Sequence, residues 1–377
     1  MKKFQVLATA LAAAALVAGC GGNEAGDQSP RVQFTQMVSF GDSLSDVGSY
    51  NVGIVAAAGG GHYSINGAQA TGLAYTNWTE FLSAQLNVTQ PCAAETGLNT
   101  LPIQPGYAPV PATFHDTGAT PCLNYAQGGA RVTADVGPGN AALFNPADSS
   151  TYSNAIGQLT VPVKTQIANY LAHNGGTFSS SQIVTVFAGG NDIFINLAEV
   201  GAGAITPTAA VQAMGQAGAE EAAYITSLIL AKGATHVVVV NLPDVSITPL
   251  GLSQTAQIQG LIKTMTTTFN DQLKAGLTAS DSLVYVDAFT ASEDQAVHMS
   301  QYGLSNVTTP ACDLTKAASS LICSKATLIA AVTPSPLTSP ATAANTYEYA
   351  DTVHPTPYGY RLLAELVGEQ LAIKGWL

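Results

Sequence analysis

The stretch His236-Val237-Val238-Val239-Val240-Asn241 constrains the fold more than any other. Four successive β-branched residues without polar alternation make a strand with no face left for water. Such a strand needs cover on both sides, as in a parallel sheet between helical layers. Ile183-Val184-Thr185-Val186-Phe187 and Leu283-Val284-Tyr285-Val286-Asp287 repeat the pattern, and Met37–Phe40 and Asn124–Ala126 add two shorter strands. Apolar spacing predicts helices over 74–86, 159–171, 209–231, 252–277 and 358–373, with Pro357 suited to the first turn of the last. Strands alternating with helices define an α/β fold, a three-layer α/β/α sandwich around a mostly parallel five-stranded sheet. Two segments, about 88–122 and 292–345, are rich in Pro, Ser, Thr and Gly and read as loop insertions.

A chain of 377 residues that is 47% hydrophobic buries a sizeable core, which excludes a disordered protein. Its formal net charge of −12 excludes nucleic acid as a partner, because phosphate binding needs a basic surface. Met1-Lys2-Lys3 followed by apolar Val6–Val17 reads as a signal peptide over residues 1–19, too short in its apolar part to span a bilayer. Val17-Ala18-Gly19-Cys20 resembles a bacterial lipobox, which implies lipidation of Cys20 and membrane association through that end, with residues 20–33 as a flexible tether. Export is expected, to the outer membrane, the cell surface or the periplasm; the alternative is a secreted protein cut at an ordinary signal-peptide site. The remaining Cys92, Cys122, Cys312 and Cys323 are even in number, as suits an oxidising compartment. Three pairings are open, and proximity in sequence favours Cys92–Cys122 and Cys312–Cys323. Their spacing is unlike that of a metal site, and no metal or organic cofactor is expected.

Gly41-Asp42 ends the first strand and sets Ser43 at its carboxyl end, where open α/β sheets collect their active sites. A serine there becomes a nucleophile only with a base, a group that orients the base, and donors for the developing oxyanion. Asp351-Thr352-Val353-His354-Pro355 offers a carboxylate and an imidazole three positions apart in one loop before the last helix. Asp287, at the end of a strand, is another carboxylate able to orient a base. Asn124-Tyr125-Ala126-Gln127-Gly128-Gly129-Ala130 and Gly189-Gly190-Asn191-Asp192 supply donors from backbone and side chain. Asp42, Asp46 and Asp192 read as loop-shaping acids that bond backbone amides. His62, His115, His173, His236 and His298 have no comparable context, and no G-x-S-x-G elbow surrounds Ser43.

In this order, the four blocks resemble those of the GDSL (SGNH) family of serine esterases and lipases. The resemblance implies a flavodoxin-like hydrolase domain over 34–377, with Ser43 as nucleophile, His354 as base and Asp351 as its orienting acid. It also implies an oxyanion hole made by the Ser43 N–H, the Asn191 side chain and a glycine N–H. Gly128 and Gly129 both fit, and alignment with the family from Asn124 points to Gly129. The implied reaction is hydrolysis of a small-molecule or lipid carboxylic ester through an acyl-enzyme. Relatives that act on membrane lipids leave a phospholipase or acyltransferase open. From another class, the chain could be a surface-binding lipoprotein that has lost catalysis. Keeping Ser43, Asn191, Asp351 and His354 together argues against that. The two insertions depart from compact family members and are expected to wall the pocket.

Overall fold

The computed structural model describes residues 32–67, 73–98, 110–118, 120–143, 145, 147–148, 159–329 and 346–377. The expected signal peptide, Cys20 and the tether as far as residue 31 lie outside the described residues. The strands are β1 (Gln36–Gly41), β2 (Glu95–Leu98), β3 (Val110–Phe114), β4 (Gln182–Phe187), β5 (Val237–Val240) and β6 (Leu283–Val286). The helices are α1 (Trp78–Gln85), α2 (Val163–His173), α3 (Gly190–Gly201), α4 (Pro207–Tyr224), α5 (Ala256–Gly276), α6 (Ala288–Val297) and α7 (Pro357–Lys374), with shorter helical turns between them.

The main sheet has the order β1-β4-β5-β6, every pair parallel. This corrects the expected five strands to four. The expected strand at Asn124–Ala126 survives as isolated bridges from Asn124 to Ser39 of β1 and to Ala93. Its backbone still follows β1: the Ser39 N–H donates to Leu123 O (3.0 Å), and Tyr125 donates to Ser39 O (2.8 Å). The Asn124 side chain accepts from the Ala126 N–H (3.1 Å) and donates to Ser45 O (2.8 Å), and the Gln127 N–H donates to Gly41 O (3.2 Å).

The two faces of the sheet carry different helices. Phe40 meets Tyr170 of α2 edge to face, whereas Phe187, aligned with Gly41 one register step on, meets Trp78 of α1. Helix α1 packs with α7 on one side, and α4 packs with α2, α3 and α5 on the other. Small residues of α4 (Ala210, Ala217, Gly218) face Ile262, Met265, Phe269 and Leu273 of α5, all buried. All four β5 valines are buried, each side chain contributing about 1.5–3 kcal/mol over exposure.

The insertions are not bare loops. The first holds the antiparallel pair β2–β3 and is closed by Cys92–Cys122; the second holds short 3-10 turns and Cys312–Cys323. Proximity in sequence therefore gave both pairings.

Candidate active site

The cluster forms at the carboxyl ends of β1 and β4. Gly41 passes so close to β4 that a Cβ on it would lie 2.3 Å from Phe187 O, backbone against backbone, so no larger residue fits. The buried Gln166 side chain clamps the same peptide from α2, accepting from the Gly41 N–H (2.9 Å) and donating to Gly41 O (2.8 Å). Asp42 then folds the chain over: its carboxylate accepts from the Leu44 N–H (3.0 Å) and its carbonyl from the Ser45 N–H (3.1 Å). Ser43 is left at the tip of that turn. Burial pushes the Asp42 carboxyl up to about 7.

The loop before α7 delivers the other two groups. His354 Nε2 lies 2.8 Å from Ser43 Oγ, and Nδ1 lies 2.8 Å and 3.0 Å from the Asp351 carboxylate oxygens. Asp351 also accepts from the N–H groups of Val353 (2.9 Å), His354 (2.8 Å) and Ser320 (3.0 Å). Burial alone would raise its pKa, but the charge of His354 and these bonds outweigh burial and hold the carboxyl well below the usual range. The Tyr63 ring lies 4.8 Å from the imidazole at a 35° tilt, which limits the ring's swing.

Two more blocks converge on Ser43. The Gly128 N–H is spent on the Asp46 carboxylate (2.9 Å), which also accepts from Gly48 (2.9 Å) and Ser49 (2.8 Å). The N–H groups of Gly129 and Ser43 meet no acceptor among the described residues. Gly189, in the left-handed conformation (φ 108°), starts α3 directly from β4, so Asn191 falls in the first helical turn. The Asn191 Nδ2 donates to Ala130 O (2.9 Å), which leaves its second N–H for a ligand. Asp192 takes the Arg131 guanidinium (2.8 Å) and the Val132 N–H (3.0 Å), binding the third block to the second.

The structure thus brings Ser43, His354, Asp351, Asn191 and Gly129 together. Asp287 stays apart, accepting from Asn241 and capping α6 through Thr290. The other histidines have partners elsewhere: His62 with Thr76, His115 with Thr96, His173 with Asp116, His236 with Thr235 and His298 with Asp294. Gln166, Ser320 and Tyr63 carry no sequence signal, because their contacts cross more than a hundred residues or come from an insertion.

Beside Ser43, His354 and Asn191 opens a cavity of about 90 Å3. Phe194 of α3, Leu242, Val245, Ala291 of α6, and Leu363 and Leu366 of α7 make its walls mostly apolar. The second insertion adds Ser292 and Gln295. The first adds no wall residue among the described residues. It braces the second block instead: Ala94 donates to Asn124 O (2.7 Å), and Glu95 accepts from the Gln127 side chain (3.1 Å).

A parallel α/β sheet thus carries a serine, a histidine and an aspartate in hydrogen-bonded series beside an apolar cavity. The chain belongs to the GDSL-like lipase/acylhydrolase family, whose profile matches residues 37–367. Membership implies hydrolase activity on esters or lipids. No curated protein matches the chain.

Proposed function

We propose that the protein hydrolyses carboxylic esters through an acyl-enzyme on Ser43. The observation that carries this reading is the series Ser43 Oγ–His354 Nε2 (2.8 Å) and His354 Nδ1–Asp351 (2.8 Å), at the edge of the cavity. Ser43 Oγ attacks the ester carbon as His354 Nε2 takes its proton. Asp351 stays ionised and stabilises the imidazolium. The carbonyl oxygen, now negative, would sit against the N–H groups of Ser43 and Gly129 and the free N–H of Asn191. Gly129 is assigned over Gly128 because the Gly128 N–H already serves Asp46. Collapse of the intermediate expels the alcohol, which takes the proton from His354. Water, activated by the same histidine, then releases the acid.

The apolar walls suit an acyl chain or an aromatic acid. The two disulfides support an exported protein, consistent with the lipobox reading of Cys20. Hydrolysis of a p-nitrophenyl series from acetate to palmitate by wild type and Ser43→Ala tests the reaction. Loss of activity in a folded Ser43→Ala protein supports it, and the chain-length optimum separates esterase from lipase. A wild type inert on the whole series and on phospholipid esters, and unlabelled by a fluorophosphonate at Ser43, rejects it in favour of a non-catalytic binder.

A further inference from the structure

Glu348 lines the same cavity as Ser43 and His354 and has no function in the chemistry above. Its backbone is pinned: the N–H donates to Asn306 O (2.9 Å), and its carbonyl accepts from the Thr356 N–H (2.8 Å) at the start of α7. Its side chain is not. The residue is half-buried, and its Oε2 is sealed from solvent without a hydrogen-bond partner. Buried carboxylates are ordinarily paired, because desolvating one without compensation is costly.

Among the described residues, no lysine or arginine is placed to compensate. The cavity wall contains no lysine or arginine, and apart from residues 1–31 every lysine and arginine lies in a described segment. Arg361, the nearest in sequence, is engaged with Glu365 and the Tyr358 ring, and Lys316 with Asp313. Asp42 is the other acid on the wall, and Asp351 already balances His354. The carboxyl also sits against Gly359 in the first turn of α7, the helix end that favours negative charge. Phe187, Phe194 and Tyr349 supply aromatic surface in the same cavity, the surroundings a cation accepts and an anion does not.

We propose that Glu348 is a specificity-determining residue that pairs with an ammonium group of the ester substrate. The proposal rests on the hydrolase reading for the word substrate, but not for the binding. A substrate ammonium, protonated or quaternary, would supply the missing counter-charge and prefer the aromatic wall. Burial pushes the carboxyl up to about 7, and an ammonium beside it would favour the ionised form.

The test compares a trimethylammonioethyl ester with its uncharged tert-butyl isostere. Wild type is expected to prefer the cationic ester in kcat/KM by roughly tenfold or more, with Glu348→Gln bringing the ratio towards one and Glu348→Asp keeping part of it. Calorimetric binding of the same pair to Ser43→Ala protein reads the preference without turnover, so a failed hydrolase reading leaves this arm intact. A tenfold tighter Kd for the ammonium ligand supports the proposal. Equal affinity for the two ligands, or a preference that survives Glu348→Gln, overturns it. Stronger binding of a hydroxylated neutral ester than of the ammonium ester also overturns it, because the carboxyl would then be a neutral hydrogen-bonding group. If Glu348→Gln does not fold, the wild-type and Glu348→Asp comparison decides.

Discussion

At the scale of single residues, Asp351 does more than face a histidine. It receives three backbone N–H groups besides the imidazole, so Asp351→Asn would keep a similar shape but force one amide N–H towards a donor. Loss of the imidazolium's counter-charge is expected to lower kcat by about three to four orders of magnitude with little change in KM, read by steady-state kinetics on a p-nitrophenyl ester. Asn191→Ala should cost roughly a hundred- to a thousandfold in kcat, because it removes only one donor. A loss below fivefold would remove Asn191 from the oxyanion site. These side chains were legible in the sequence because each lies in a short block whose residue types suit one chemistry. Gly128 and Gly129 were not separable by type. What separates them is the Asp46 carboxylate, which takes one N–H and leaves the other.

At the scale of elements, the second insertion reaches the chemistry through a backbone rather than a side chain. Ser320 donates to Asp351 from a 3-10 turn that ends at Cys323, and Cys323 is bonded to Cys312. The same turn is tied to the chain after Ser43: Gly61 donates to Leu321 O (2.9 Å) and Asn66 to Cys323 O (2.8 Å). Replacing Cys312 and Cys323 with serine should therefore lower kcat more than the equivalent change at Cys92 and Cys122. Stability should respond in the opposite order, since the separations of 11 and 30 residues correspond to about 2.8 and about 3.7 kcal/mol of chain entropy. Kinetics and urea denaturation of both double variants check the crossing. Prolines, threonines and glycines hid β2 and β3, which pair with each other within the first insertion. Helix α3 was missed for a different reason. Gly189-Gly190 reads as a strand stop, yet the left-handed Gly189 makes the same pair a helix start.

At the scale of the whole molecule, the layers and parallel strands follow from apolar runs long enough to need cover on both faces, and so they were legible. The distribution of buried acid was not. Glu221 on α4 is fully buried with both carboxyl oxygens unpartnered, and burial pushes its pKa well above the usual value, with Asp192 and Asp42 adding to the shift. Burial also raises Asp42 and Glu348 to about 7. Between the ordinary carboxylate range and about pH 7, the folded chain therefore holds more protons than the unfolded one, and stability falls as pH rises through that window. Asp351 works in the other direction, with its depressed pKa; its contribution is present above about pH 4 and lost only as the pH falls below that. Greatest stability is accordingly expected near pH 5 rather than pH 8, read by urea denaturation at both. Glu221→Met removes the largest unpaired group while keeping an unbranched side chain of similar length. It should be nearly neutral at pH 4, where both states are protonated, and stabilising by on the order of 1–3 kcal/mol at pH 8. An equal effect at the two pH values would show that Glu221 acts through packing and not through its proton.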